Sequence, residues 1–373
     1  MKKFTAGTYV RQGSYRAFIP TEINRRWIID DAELQHKLGK ADRFLGRLDA
    51  FSDLVNIDLY VRLHVSKEAT LSAKIEGTQT SVEEALLTRE EVAVERRDDW
   101  EEVNNYVLAI NRAIAALDRL PFSSRLIRNT HAILMQGVRG QRKGPGEFRT
   151  SQNWIGGRTI NSATFVPPPP QEVDRLMSDL ENLANAERNP LPELLKIALI
   201  HYQFETIHPF QDGNGRLGRL LIPLYLIGQQ ILRQPVLYLS AYLERNRLLY
   251  YDRLTDVRER NDLLGWFNFF LDGVIETASD GVSTFQRITA LERGLPGRLA
   301  SLGRRSSNAE FLLRAMFGEP IMTVAEVKRT LSVSDAPAYR LVADLEALGI
   351  LQEFPTANRS KSFVFSEYMD LFA

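Results

Sequence analysis

The chain has 373 residues, enough for two or three domains and for a core that needs no covalent staples. Its 47 Lys+Arg balance 47 Asp+Glu, so no overall charge draws it to nucleic acid or to an anionic membrane. The absence of cysteine excludes disulfides, thiolate nucleophiles and zinc ribbons, and fits a reducing compartment.

The first residues, MKKFTAGTYVRQGSYRAF, lack the unbroken apolar core of a signal peptide, and no run approaches the ~20 apolar residues of a membrane span. A soluble cytoplasmic protein without membrane contact is expected. Helical spacing dominates the chain beyond them. Apolar residues recur at three and four from Asp30 to Asp58 (Leu34, Leu38, Phe44, Leu45, Leu48, Phe51, Leu54). A second helix should hold LHVSKEATLSAKIE and end at Gly77, since glycine takes the left-handed conformation that closes helices. Further helices are expected in SVEEALLTREE, Trp100–Asp118, Ser123–Leu134, Pro170–Asn185, Pro192–Ile207 and from about Arg216 to Leu232, with three more between Ala241 and Phe285.

Between these, GEFRTSQNWIGGRTINSATFVPPPP places the turn pair Gly156-Gly157 between strand-like Trp154-Ile155 and Thr159-Ile160, which predicts a short β-hairpin. Around residues 293–308 the pattern dissolves into Gly, Ser and Arg and reads as a linker. Three short helical stretches come next (Ala309–Phe317, Thr323–Leu331, Ser334–Leu348), with Thr323 and Ser334 as N-caps, then two strands around a polar turn. That order describes a winged helix-turn-helix.

The densest chemistry lies in HPFQDGNGRLGR, residues 208–219. Pro209 stops the preceding helix at His208, and Gly213-Asn214-Gly215 bends the chain into a new one. A glycine turn feeding a helix N-terminus offers unpaired N–H groups and the positive end of the dipole, which suits phosphate. Arg216 and Arg219 share a face near that end, where cations are misplaced unless an anion neutralises them. Asp212 puts a carboxylate beside the anion, an arrangement that makes sense with a Mg²⁺ held between carboxylate and phosphate oxygens. His208 is the group able to take up a proton near neutral pH. Together they describe phosphoryl or nucleotidyl transfer with general-base help.

This stretch resembles the signature of the Fic family, His-Pro-Phe-x-Asp/Glu-Gly-Asn-Gly-Arg-x-x-Arg, at every fixed position. The resemblance extends to GEFRTSQNWIGG and FVPPPP, similar to the family's substrate-binding flap and its connector, and to the pair Tyr250-Tyr251. It implies a mainly α fold: a Fic-type helical core with a short β-hairpin flap, beside the small C-terminal winged helix-turn-helix domain. It implies transfer of AMP from ATP to a Ser, Thr or Tyr hydroxyl of a target protein, the chain itself included. By position His208 becomes the base and Asp212 the Mg²⁺ ligand. Gly213, Asn214, Gly215 and Arg216 become the phosphate cradle with Gly218 beside it, Arg219 the holder of the γ-phosphate, and Tyr250 and Tyr251 the lining on the adenine side. The remaining histidines, His36, His64, His131 and His201, receive no catalytic role.

Ser72-Ala-Lys-Ile-Glu76-Gly77 resembles a second family pattern, the inhibitory helix Ser/Thr-x-x-x-Glu-Gly/Asn. Ser72 and Glu76 lie on one helix face, and a glutamate in a last turn faces the negative end of the dipole, which asks for a cation opposite. Arg219 is the expected partner, so inhibition would act within the chain. The resulting division is an N-terminal helical extension (1–60), a catalytic domain (61–292) with inhibitory helix 66–77 and flap 147–166, a linker (293–308) and the winged helix-turn-helix domain (309–373).

Two other functions compete. A DNA-binding regulator built on the last domain is disfavoured, because six Lys/Arg stand against nine Asp/Glu from Ala309 onward and Arg340 is the one cation of the recognition helix DAPAYRLVADLEALG. Protein contact or a homodimer suits that module better. Within the same fold, the inhibitory glutamate could instead remove AMP by activating water, and the sequence does not separate that activity from forward transfer.

Overall fold

The computed structural model describes residues 4–51, 57–137, 143–187, 189–357 and 361–372, the side chains of 57–59 excepted. The chain opens on an antiparallel hairpin, β1 (Gly7–Gln12) and β2 (Tyr15–Pro20), turned at left-handed Gly13. This corrects the all-helical reading of residues 1–60. Alternating β-branched and aromatic residues in TYV and YRAFI suit a pleated surface, and the turn puts Ala17 and Phe18 into the core. Phe18 donates its N–H to the carbonyl of Val166 (3.0 Å), so the hairpin braces the segment before the four prolines.

The expected long first helix is α1 (Ala32–Ala50), capped by Asp31, whose side chain accepts from the Leu34 N–H; residues 52–56 of that expectation lie outside the described residues. Then come α2 (Ile57–Ile75), α3 (Val82–Leu86), α4 (Arg97–Leu117), α5 (Ser124–Leu134) and α6 (Pro170–Ala184). The α3 helix is shorter than expected because Leu87 turns extended and Thr88 and Glu91 close a local turn. At the centre are α7 (Glu193–Ile207) and α8 (Asn214–Gly228). Every residue of α7 beyond Glu193 is buried, as befits a helix enclosed on all sides. Around them lie α9 (Ser240–Arg245), α10 (Arg247–Arg260) and the 37-residue α11 (Leu263–Leu299), against which α1 packs along its length.

The expected linker is largely helical. Leu295 and Leu299, four apart and buried, carry α11 on to residue 299, and a 3₁₀ segment at Ala300–Arg305 breaks at left-handed Gly303. The C-terminal part holds α12 (Ser306–Met316), β3 (Ile321–Thr323), α13 (Val324–Leu331), α14 (Asp335–Ala347), β4 (Gln352–Phe354), β5 (Ser362–Val364) and α15 (Ser366–Met369). Its three strands pair antiparallel in the order β3-β5-β4. Thr323 caps α13 in a capping box with Glu326. This part packs on α2: the Tyr60 ring lies 5.5 Å from Phe317 and 6.2 Å from Tyr368, and His64 lies 4.8 Å from Phe372.

The flap differs from the expected hairpin. Ile155 forms one antiparallel bridge, and its partner is Phe165, not the Thr159-Ile160 pair. Gly156 and Gly157 are both left-handed, and Thr159 and Ser162 then close a 3₁₀ turn by reciprocal side-chain bonds. A Cβ on Gly157 would fall 2.2 Å from the Ser162 carbonyl, so the glycine admits that turn. The second strand coils instead of pairing.

Candidate active site

A cavity of about 580 Å³ opens between α2, α4, the flap and the α7–α8 junction. Its floor is the sequence 208–216. His208 ends α7 in the left-handed conformation (φ 50°), which turns its ring toward the cavity rim. Burial lowers its pKa to about 4, partly offset by the backbone of Glu205, so the imidazole is neutral at pH 7.

Arg149 holds that conformation. Fully buried, it donates to the carbonyls of His208 (2.9 Å), Ile207 (3.3 Å), Ser151 (3.3 Å) and Pro168, while its own N–H donates to the Pro209 carbonyl (2.9 Å). It thereby caps the orphan carbonyls at the end of α7. Asn153 donates to the carbonyls of His208 and Phe210.

The α8 helix begins at Asn214, two residues before the sequence suggests, behind left-handed Gly213 (φ 75°). Asn214 faces inward: its Oδ1 accepts from the Phe210 N–H (2.9 Å) and its Nδ2 donates to the Phe210 carbonyl (2.8 Å), clamping the loop. Its side chain therefore shapes the cradle, and only its backbone is placed to offer an N–H. Gly218 lies off the cavity wall. It faces α7, where a Cβ would meet Glu205 Oε1 at 2.2 Å, so its smallness serves helix packing.

Asp212 is exposed at the rim and accepts the Gly213 N–H on Oδ1 (2.7 Å). Among the described residues no three His, Cys, Asp or Glu cluster as a metal site. A single free-standing carboxylate beside a helix N-terminus fits a Mg²⁺ completed by phosphate oxygens, not a cage built by protein alone.

Arg216 reaches into the cavity. It pairs with Glu102 at 3.2 Å, and its buried Nε has no hydrogen-bond partner among the described residues. Arg219 is fully buried and held by the C-terminal end of α2 and the residue after it: Nε donates to Ser72 Oγ (2.9 Å), and Nη2 to the Ser72 carbonyl (2.9 Å) and Glu76 Oε1 (2.7 Å). Burial pushes the Glu76 carboxyl up, but Arg219, with Arg216 and His208, outweighs it and holds the pKa below the usual value. The Glu76 side chain is 39% exposed, and that face looks into the cavity. A Cβ built on Gly215 would meet Glu76 Oε1 at 2.3 Å. The carboxylate thus sits on the first turn of α8, where an anion is best stabilised.

Tyr250 and Tyr251 both line the cavity. Tyr250 is buried with its hydroxyl on His201 Nε2 (2.9 Å), while Tyr251 is 40% exposed. His201 also bonds the Gly218 carbonyl through Nδ1 (2.9 Å) and stacks on Trp266, so it ties α7 to α8, α10 and α11. His131 stacks on Phe210 and bonds the Asp212 carbonyl (3.0 Å), bracing the turn that carries Asp212. Both histidines are structural members of the site that sequence reasoning passed over, as it did Arg149. Glu205 is a further one: buried on the cavity wall with Oε1 unpartnered among the described residues, its carboxyl is raised by burial to about 7.

Two family models match the chain: the Fic/DOC family over residues 121–226 and the Fic/DOC family N-terminal over residues 35–115. The first covers α5 to α8 with the flap, the second most of α1 to α4. Protein adenylyltransferase Fic of Culex quinquefasciatus is 35% identical over 128 residues, 34% of this chain and 23% of that protein. A probable protein adenylyltransferase of Aquifex aeolicus is 30% identical over 186 residues, 48% of this chain and 55% of that protein. The chain thus spans between a quarter and about half the length of these curated relatives. Among solved structures, a Fic family protein from Desulfovibrio desulfuricans G20 superposes with a TM-score of 0.59 at 19% identity, over 91% of this chain and 98% of that one. Fic-1 from C. elegans superposes with a TM-score of 0.51 at 17% identity, over 68% and 74%. At these identities the likeness is one of fold. Among the described residues no helix is long and apolar enough to cross a membrane.

Proposed function

The chain belongs to the Fic/DOC family, and from that premise we propose that it is a protein adenylyltransferase held in check by its own α2 helix. ATP is the donor and a Ser, Thr or Tyr hydroxyl of a protein the acceptor. The observation that carries the reading is the Glu76 carboxylate lying against Gly215 with Arg219 bound to it. An anion already occupies the seat that phosphate would take, and the cation that would meet the γ-phosphate is engaged.

In the active arrangement ATP replaces that carboxylate. The N–H groups of the first α8 turn and Arg216 take phosphate oxygens, and Arg219, freed from Glu76, takes the γ-phosphate. The acceptor oxygen forms a bond to the α-phosphorus as the bond from that phosphorus to the bridging oxygen breaks. Pyrophosphate leaves, and the hydroxyl proton passes to the neutral His208 imidazole. Asp212 would hold Mg²⁺, which would supply charge neutralisation at the phosphates when bound. The flap, hinged on the Ile155–Phe165 bridge with Trp154 41% exposed, borders the cavity where the target segment would lie.

The C-terminal part suits protein contact better than nucleic acid. Arg305, just before this part, and Lys328 within it pair with Asp344 (2.6 Å) and Asp335 (2.7 Å), so neither stands free for phosphate.

The test is incubation of wild type and His208→Ala with α-³²P ATP and Mg²⁺, read by gel and intact mass. Wild type should gain AMP on itself or on a lysate protein, and His208→Ala should lose this by ~10²–10⁴-fold with an unchanged melting temperature. Equal labelling of the two proteins would remove His208 as the base.

A further inference from the structure

The α2 helix borders a second cavity, of about 230 Å³, through His64, Lys67, Glu68 and Leu71. Three cations converge there: Lys67 from α2, Arg245 from α9 and Arg287 from α11. Asp280 is the counter-charge within the wall, and Arg245 reaches outward to Glu276. Glu68, also on the wall, is fully buried, and its oxygens are taken by Ser240 and Tyr106 (Oε2 from the Ser240 N–H at 3.2 Å, Oε1 from Ser240 Oγ at 2.5 Å and Tyr106 Oη at 3.2 Å). Lys67 and Arg287 donate to the carbonyls of Phe372 and Leu371, neutral partners, with Asp280 the carboxylate beside them.

Two more wall residues carry unmet polar atoms. Tyr238 is 7% exposed, and its hydroxyl has no hydrogen-bond partner among the described residues. The same holds for His64 Nε2, whose ring lies between Phe285 and Phe372. Burial and then Lys67 keep this histidine neutral, with its pKa lowered to about 3. A buried hydroxyl without a partner is costly, and the place of Tyr238 beside the cations fits an oxygen acceptor from outside the chain. Leu71 and Val236 supply an apolar wall.

We propose that this cavity is a binding site for a small phosphate monoester, separate from the seat at the α8 N-terminus. The Arg287 guanidinium and the Lys67 ammonium, from two helices and with Arg245 beside them, match a tetrahedral oxyanion with several oxygens, and the apolar wall takes a short organic body. Because Lys67, Glu68 and Leu71 belong to α2, the ligand touches the helix that carries Ser72 and Glu76. Binding stands on the cavity alone and is independent of the catalytic reading.

The experiment is calorimetric titration of glycerol 3-phosphate into the full chain, with glycerol as the neutral control. Wild type should bind the phosphate ester saturably and not glycerol. Lys67→Met and Arg287→Met should each weaken binding about ten- to hundredfold, as removal of a charged hydrogen bond does. Tyr238→Phe, which keeps the packing, should weaken it less and serves if either charge variant fails to fold. His208→Ala should bind as wild type. No saturable binding, equal binding of glycerol, or affinity untouched by all three cavity substitutions would overturn the proposal. Ala373 lies outside the described residues, so the titration is repeated on a chain extended past it by glycines; binding gained only there would make the chain's own carboxylate the occupant and also overturn it.

Discussion

Arg149 Nε donates to the carbonyl oxygen of His208 at 2.9 Å, from a residue 59 positions earlier in the chain. The same guanidinium spans carbonyls on the flap, the proline connector and the end of α7, so the backbone of His208, the proposed base, is fixed by one side chain. A lysine carries the charge but presents its three donors from a single atom, not from the planar fork that reaches these four carbonyls. Arg149→Lys should therefore lower kcat about ten- to hundredfold with little change in KM for ATP, since misplacing a reacting group by about 1 Å costs that much. Steady-state labelling separates the two constants; a pure KM effect would show that Arg149 shapes binding and not the base.

The site titrates away from ordinary histidine values. His208 is depressed to about 4, so the base remains competent as pH falls through 6.5, and kcat/KM should carry no loss from His208 between pH 8 and about 5. Glu205, near 7 and beside Arg219, is the group that ionises inside that window. A rate profile falling with apparent pKa 6.5 that Glu205→Gln leaves unchanged would contradict the assignment.

The same burial makes the fold acid-sensitive. His64, His131, His201 and His208 are all lowered, to about 3, 4, 4 and 4, with burial the first cause of each. Below pH 6.5 the unfolded chain binds protons that the folded one refuses, so stability is lost from 6.5 down toward 4. Glu205, raised to about 7, acts the other way between 7 and 4.5 and offsets one histidine; Glu68 and Asp179, also raised by burial, offset part of the rest lower down. Each net proton is worth roughly 1.4 kcal/mol per pH unit. The melting temperature should hold from pH 8 to 7 and fall steeply between 6 and 5. A flat curve there would show that the histidines charge without unfolding.

What was legible in the sequence was chemistry carried by neighbours. Residues 208–219 form their site through one turn and one helix start, so His208, Asp212, Gly213 and Arg216 come together as their order suggests. Side chains whose purpose is to receive distant backbone were not legible: Arg149 answers carbonyls at 168, 207 and 208, and His131 answers one at 212. Glu205 was missed because its character comes from burial, which a lone glutamate on an apolar helix does not announce. For Asn214 and Gly218 the signature does not tell that one also clamps a loop and the other admits a neighbouring side chain. In the fold, the β1–β2 hairpin was hidden by its short strands, and the 293–308 stretch by glycines and arginines that do not interrupt the buried Leu295 and Leu299.

Tyr60 bears on α2 from the end opposite Glu76. Its ring packs on Phe317 and Tyr368 of the C-terminal part, and its hydroxyl donates to Glu292 (3.1 Å). Tyr60→Ala should cost roughly 3 kcal/mol, as loss of a large buried ring usually does. Loss of that contact should speed hydrogen exchange along 66–77 and raise basal AMP transfer, because the helix that presents Glu76 loses its outer support. Phe317→Ala removes the same contact from the other side and should act alike. Unchanged exchange in 66–77 with a lowered melting temperature would mean that the C-terminal part stabilises the chain without holding the inhibitory helix.

Replacing Glu76 by glycine should raise activity, against the usual direction of substitutions in an enzyme. The carboxylate does two things in the structure: it accepts from Arg219 at 2.7 Å, and it covers Gly215 at the α8 N-terminus. Removing it clears both positions, while Ser72 still holds Arg219 through Nε and the backbone carbonyl, so the cation stays in place for the γ-phosphate. A charge-assisted bond is worth roughly 1.5–3 kcal/mol, but Glu76 is 39% exposed to the cavity and solvent screening lowers its share to about 1–2 kcal/mol. AMP transfer by Glu76→Gly should therefore rise roughly five- to thirtyfold. Arg219→Ala also releases Glu76, yet it should be nearly inactive, since it removes the group proposed to orient ATP and leaves the Glu76 carboxylate unpaired facing the phosphates. Auto-labelling of wild type, Glu76→Gly and Arg219→Ala side by side with labelled ATP and Mg²⁺ decides the matter. Equal labelling of wild type and Glu76→Gly would show that Glu76 does not restrain the enzyme, and strong labelling by Arg219→Ala would show that Arg219 does not serve the γ-phosphate.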